Sequence, residues 1–410
     1  MFEWNEQQEM MRSVLRQWLA THLEPATPDL EEGRALPYEL MRKLFQDFGM
    51  AELVAQSARK VMEKKRRGEA FRGGGEGEDP SRDPAIAALT TWELCRVNPG
   101  FCLSFGATLG LAGATLLQKG TPEQIERWAL PVLTLEKIGC WGVTEPGAGS
   151  DAFSMQTLAR RDGDGWVLSG SKIFITNAPY ADVFVIYARI EGEGARDDRR
   201  NVHPFVLERG TPGLEVSKPM KKMGMRSSPT GEVFLNDVRV GRDQLLGGEP
   251  EGARDQVKDV FAGERTGSAP MCAGIIERCL DECLRYTVER RQWGKELARF
   301  QLVQDKIAGM YVAYNNVRNL VHQQIWQAKQ GKATWKDACA AKLYATEAAV
   351  QVGMDAVQVL GGYGYLQDFP VERLTRDAKL LTIGGGTSQI QILNLARSLY
   401  AERGFSVSVA

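Results

Sequence analysis

The spacing of apolar residues changes twice along this chain of 410 residues. From residue 5 to about 130 it follows a helical period, with Met10, Met11, Val14, Leu15 and Trp18 on one face and Leu40, Leu44 and Phe48 on another. Around Pro131 the period drops toward two. Residues 166–168, 173–176, 183–188, 204–207, 214–216 and 233–240 then read as short strands divided by turn clusters such as 162–165 and 210–213. After Gly252 the helical period returns and lasts to near Tyr400. Val303, Ile307, Met310, Tyr314, Val317 and Val321 alternate by four and three, as on a bundle helix, and an alanine-rich helix over 338–360 lets its neighbours come close. The expected fold is a multidomain α+β chain: an N-terminal all-α domain over 1–134, a central antiparallel β-barrel or sandwich over 135–248, and a C-terminal four-helix-bundle domain over 249–410.

Residues 59–83 interrupt the first domain with a basic run, three consecutive glycines and a mixed-charge stretch. A solvated helix extension and a mobile loop are expected there. A formal net charge of −1, with 25% charged and 43% apolar residues, carries no basic surplus for a nucleic-acid partner. The seven cysteines (Cys95, Cys102, Cys140, Cys272, Cys279, Cys283 and Cys339) include no C-x-x-C and read as free buried thiols of a reducing compartment. The start, MFEWNEQQEM, lacks the pattern of a secretory signal, and no apolar run approaches the length of a membrane span; a soluble, cytoplasmic protein is expected. His22, His203 and His322 offer no zinc spacing, and neither a G-x-G-x-x-G after a strand nor a P-loop is present. Redox chemistry here would need an organic cofactor held in another way.

One stretch suits a ligand. Residues 144–151, TEPGAGSD, follow the apolar run 138–143 as a strand entering a Gly-rich turn. Pro146 fixes one φ, Gly147 and Gly149 let a ligand come close, and Thr144 and Ser150 add hydroxyls, which fits something anionic or flat. Taken alone, such a stretch is more often a plain surface hairpin.

Five motifs in order narrow the choice. TEPGAGSD, then KIFITN at 172–177, ERRQWGK at 289–295, QVLGGYG at 358–364 and GTSQ at 386–389 resemble the acyl-CoA dehydrogenase family, over residues 5 to about 402. The resemblance implies FAD. It assigns Trp141, Val143, Thr144, Gly149, Ser150, Phe174, Ile175 and Thr176 to the isoalloxazine side, with Phe174 where many relatives place tryptophan. Arg290, Arg291, Gln292, Trp293, Phe300 and Gln301 match positions around the pyrophosphate and adenosine. Gln358, Val359, Gly361 and Gly362 match a loop that reaches the FAD of a neighbouring subunit, and Thr387, Ser388 and Gln389 start a helix near the cofactor.

The family oxidises an acyl-CoA thioester by removing a proton from Cα and a hydride from Cβ. Many members keep the base, a glutamate, just before the Gly-Thr of the last motif, where this chain has Gly385. Branched-chain and long-chain relatives, isovaleryl-CoA dehydrogenase among them, keep it before an arginine on the helix that opens the third domain. Here that position is Glu264, within 261–265, FAGER. The resemblance therefore implies Glu264 as base and the backbone N–H of Gly385 as donor to the thioester carbonyl. Ser150, Phe261, Glu264, Arg265, Gly385 and Gly386 form the substrate set, with 101–111 as acyl-pocket wall. It further implies electron-transfer flavoprotein as acceptor, docking near 59–83, a homotetramer, and a place in fatty acid β-oxidation. Two other readings share this fold: an acyl-CoA oxidase or flavin monooxygenase, and a catalytically silent subunit of a mixed tetramer.

Overall fold

A computed structural model describes residues 3–69, 83–192, 202–248 and 256–405, apart from the side chains of Phe153 and of 256–265. Much of the 59–83 segment, with its three consecutive glycines, lies outside the described residues; its basic run forms the last turns of a helix that ends at Arg66.

The first part is helical: α1 (Glu6–Trp18), α2 (Glu24–Glu31), α3 (Tyr38–Asp47), α4 (Met50–Arg66), α5 (Pro84–Val97), α6 (Pro99–Gly106), α7 (Ala114–Lys119), and the short α8 (Pro122–Gln124) and α9 (Leu130–Leu133). Asn5 caps α1, its side chain accepting from the Gln8 N–H at 2.9 Å while the Gln8 side chain accepts from the Asn5 N–H at 3.1 Å. The buried stripe is narrower than the expected one. Leu15, Trp18 and Leu19 are buried, but Met10 and Val14 are exposed, because the Trp18 indole donates to Asp47 at 2.7 Å and so sets how α1 is rotated. The 21-residue run Pro99–Lys119, with mean hydropathy 1.6 over an 18-residue stretch, is long and apolar enough to cross a membrane, contrary to the sequence expectation. It is a core helix by its packing: 56% of that stretch is buried, and Ala112 lies against β1 so closely that a Cβ on Gly139 would stand 2.8 Å from it.

The middle part is a seven-stranded sheet of β1 (Gly139–Gly142), β2 (Leu158–Asp162), β3 (Gly165–Thr176), β4 (Val183–Ile190), β5 (Val202–Glu208), β6 (Leu214–Val216) and β7 (Thr230–Val240). Most pairs are antiparallel, as expected, but β1 and β2 both run parallel to β4. Their register explains why. Gly142 pairs with Ile186 and Leu158 with Arg189, so β1 and β2 are two pieces of one edge, and residues 143–157 leave the sheet between them. The Gly-rich turn sits on that excursion. Strand β3 is continuous where two strands were expected, with register shifts at Leu168/Gly170 and Lys172/Ile175.

Inside the sheet, next to α7, His203 is 3% exposed beside Lys119 and Tyr187. Burial first, and the Lys119 charge second, push its pKa down to about 4. The unfolded chain takes up this proton near the ordinary value of 6.5 and the folded chain only near 4, so protonation favours unfolding. Stability should fall by about 3 kcal/mol as pH drops from about 6.5 to about 4. Thermal midpoints across that range check this: His203→Gln should decline less steeply than wild type.

The last part holds α10 (Gln256–Glu289), the hairpin β8 (Arg291–Gln292) and β9 (Lys295–Glu296), α11 (Gln301–Lys329), α12 (Trp335–Leu360), α13 (Pro370–Leu381) and α14 (Ser388–Ala401). The expected stripe on α11 faces the core, with Met310, Val317 and Val321 buried and Val303, Ile307 and Tyr314 packed against them. On α12 the small residues Ala345, Ala349 and Ala356 admit α10 and its buried cysteines. All seven cysteines are free and buried. Glycine also sets the join to the first part: a Cβ on Gly274 of α10 would lie 2.2 Å from the Trp92 carbonyl of α5.

Candidate active site

Glu145 holds the Gly-rich turn from inside. Its carboxylate, 5% exposed, accepts from the Thr157 N–H at 2.9 Å, from the Gln156 N–H and the Thr157 hydroxyl, and from the Lys172 ammonium at 2.7 Å. Lys172 of β3 is wholly buried and also donates to the Val143 carbonyl at 3.2 Å. One ion pair thus ties both ends of the excursion to the neighbouring strand. Burial by itself would raise the Glu145 pKa, but Lys172 and the donated hydrogen bonds outweigh it and keep the carboxyl below its usual range. Burial brings Lys172 down to about 8 despite Glu145.

The outer side of the turn is open. Pro146, Gly147, Gly149 and Ser150 are exposed, and nothing lies within 4 Å of where a Cβ on Gly147 or Gly149 would stand. The Ile173 N–H donates to the Thr144 carbonyl at 2.9 Å, and just there β3 bulges, setting Phe174 at φ 59° and 65% exposed. A bare aromatic ring beside an open polar turn fits a flat cofactor. Trp141 is half-buried, its ring edge-on to Tyr187 at 5.4 Å, and Thr144 and Thr176 are partly exposed. Val143 and Ile175 do not join this surface through their side chains: both are buried in the two cores flanking the sheet, so only their backbone can face a ligand.

A second group lies on the loop between α13 and α14. Gly385 and Gly386 adopt φ 64° and 85°, the left-handed region that glycine takes without strain. Among the described residues, the N–H groups of Gly385, Gly386 and Thr387 donate to no protein acceptor. The Thr387 hydroxyl caps α14 by accepting from the Ile390 N–H at 3.2 Å, Ser388 is buried and donates to Glu347, and Gln389 is exposed. Open N–H groups at a helix start suit an anion or a polarised carbonyl.

A third group sits past the far end of α10. Arg290 lies over the Tyr363 ring at 5.7 Å, and Trp293, 88% exposed, meets Phe300 edge-on at 5.8 Å. Arg291 pairs with Glu296, while Gln292, Gln301, Gln358, Gly361 and Gly362 are exposed at the same end. Val359 is instead core, 8% exposed. Glu264 lies on α10 and Arg290 directly follows its last residue, 26 positions further on, which is about 40 Å at about 1.5 Å per residue.

Phe261, Glu264 and Arg265 lie in the first turns of α10, and their side chains are outside the described residues. The sequence reading gave no role to Glu145, Lys172, Lys342 or Gln391. The signal was present for three of them: a charge inside an apolar strand or an alanine stripe, and an acid within a turn built for a ligand.

Two family models match the chain, the acyl-CoA dehydrogenase middle domain over residues 140–238 and the acyl-CoA dehydrogenase C-terminal domain over 251–400. A short-chain-specific acyl-CoA dehydrogenase of Clostridium acetobutylicum is 33% identical over 97% of this chain and 99% of its own. Subunit CarC of the caffeyl-CoA reductase–Etf complex of Acetobacterium woodii is 33% identical over 94% and 96%. The solved butyryl-CoA dehydrogenase of Megasphaera elsdenii superposes with TM-score 0.84 at 30% identity, over 97% of this chain and 99% of that one.

Proposed function

The chain belongs to the acyl-CoA dehydrogenase family and uses FAD, and from that premise we propose that Glu264 takes the α-proton of an acyl-CoA thioester to give the trans-2-enoyl-CoA. The observation that carries this reading is the Gly384–Thr387 loop, which has no carboxylate and in which, among the described residues, the N–H groups of Gly385, Gly386 and Thr387 have no protein acceptor. The Gly385 N–H donates to the thioester oxygen and stabilises the charge that builds there as the proton leaves, and a carboxylate from the start of α10 receives that proton. When bound, FAD supplies N5, the acceptor for the hydride from Cβ. Phe174 covers the ring, while the Gly-rich turn offers it hydroxyls and backbone donors. The third group, 290–301 with Gln358, Gly361 and Gly362, holds the pyrophosphate and adenosine of a second copy's FAD.

That division calls for self-association. Exposed Leu302, Ile392, Leu399 and Tyr400, with Trp293, leave apolar surface on the same bundle, which supports a homotetramer. We place the joins of the three domains at 134/135 and 248/249. Electron-transfer flavoprotein is the proposed acceptor, docking near 59–83: the CarC relative is named for an Etf complex. The enzyme would act in the cytoplasm, at the oxidative step of fatty acid β-oxidation. Acceptor choice tests this. Protein reduced by a thioester should pass electrons rapidly to electron-transfer flavoprotein and slowly to O₂; rapid O₂ consumption with peroxide release would replace the dehydrogenase with an oxidase.

A further inference from the structure

Three consecutive peptide groups after α13 have their oxygens tied inward. Lys342, 1% exposed on α12, donates to the carbonyls of Gly384 and Gly386, the latter at 2.9 Å. Gln391, fully buried on α14, donates to the carbonyls of Gly385 at 3.3 Å and Gly386 at 2.9 Å. The Gly384 carbonyl and the Gly385 N–H are the two ends of one planar trans peptide group, so they point opposite ways. Gripping the oxygen therefore aims the N–H outward. A cation on the oxygen also polarises the amide, and hydrogen bonds linked through one amide strengthen each other in a low-dielectric interior. The positive φ of Gly385 and Gly386 gives the loop the backbone shape in which successive carbonyls reach these two side chains.

We propose that Lys342 is a positioning residue that makes the Gly385 N–H a stronger donor to the thioester carbonyl. This rests on the role given to Gly385 above. The ammonium lies one amide away from the reacting oxygen, so it favours the charge that develops there more than the neutral carbonyl. Its effect should fall on kcat and leave KM nearly unchanged.

The experiment compares wild type with Lys342→Met and Lys342→Gln, recording FAD content and thermal midpoint for each. The carbonyl of a bound enoyl-CoA, labelled with ¹³C at C1 and matched to the acyl group that wild type oxidises, is followed by difference infrared spectroscopy. Binding to wild type should lower the carbonyl stretch; Lys342→Gln, which keeps a neutral donor, should lower it less, and Lys342→Met least. Anaerobic flavin reduction by Lys342→Met should slow about 10-fold to 100-fold, short of the about 10²–10³-fold for removing such a donor outright. A wild-type stretch and rate in Lys342→Met would overturn the proposal. So would loss of FAD and an early melt in both variants, which would make Lys342 a structural cation only. If wild type itself shows no shift, the role of Gly385 fails first, and the two failures are told apart.

Discussion

Glu264→Gln is expected to hold FAD at wild-type occupancy yet to be reduced by acyl-CoA about 10²–10⁴-fold more slowly, the range that a positioned general base contributes. The carboxamide fills the same space but cannot take a proton. Gly385 has no carboxylate to substitute for it, and no other acidic residue lies within the neighbouring segments 261–265 and 383–389. Substrate should still bind, because the loop donors and the acyl wall are untouched, so the loss should fall on kcat. Stopped-flow absorbance of the flavin under anaerobic conditions reads it directly. A variant that is reduced as fast as wild type would move the base elsewhere.

Glu145→Leu is expected to cost about 3–5 kcal/mol and to release FAD, because it leaves the Lys172 charge buried without its partner. The carboxylate also loses its bonds to Gln156 and Thr157, so the excursion that carries the Gly-rich turn comes free of β3. The double variant Glu145→Leu/Lys172→Met should regain much of the stability, since an apolar pair of similar volume replaces the ions. In wild type the low Glu145 pKa gives the sign of the pH effect: its contribution is present above the ordinary value of 4.5 and is lost as pH falls below it. Urea midpoints with flavin fluorescence check all three statements. An unchanged midpoint in Glu145→Leu would contradict them.

The three-part architecture was legible because apolar period is a local property, and the stripes on α11 and α12 could be read for the same reason. Pairing is not local. Nothing within 138–162 announces that β1 and β2 are two pieces of one edge along β4, since that relation is set by residues 183–190. Bulges hid the continuity of β3 because they break its alternation at Gly170 and Phe174. In the site, the residue types were legible but their grouping was not: the length of α10 separates Glu264 from Arg290, which follows its last residue. Lys172 and Lys342 were passed over because a lysine reads as surface until its burial is seen.

The most direct measurement is anaerobic titration of the purified FAD-loaded protein with a panel of straight, branched and cyclic acyl-CoA thioesters, with the product mass recorded. The flavin absorbance should bleach with at least one thioester, and that thioester should be recovered two hydrogens lighter, as the trans-2-enoyl-CoA. A protein that holds FAD but bleaches with none of them would contradict the dehydrogenase reading and leave a subunit that binds flavin without oxidising acyl-CoA.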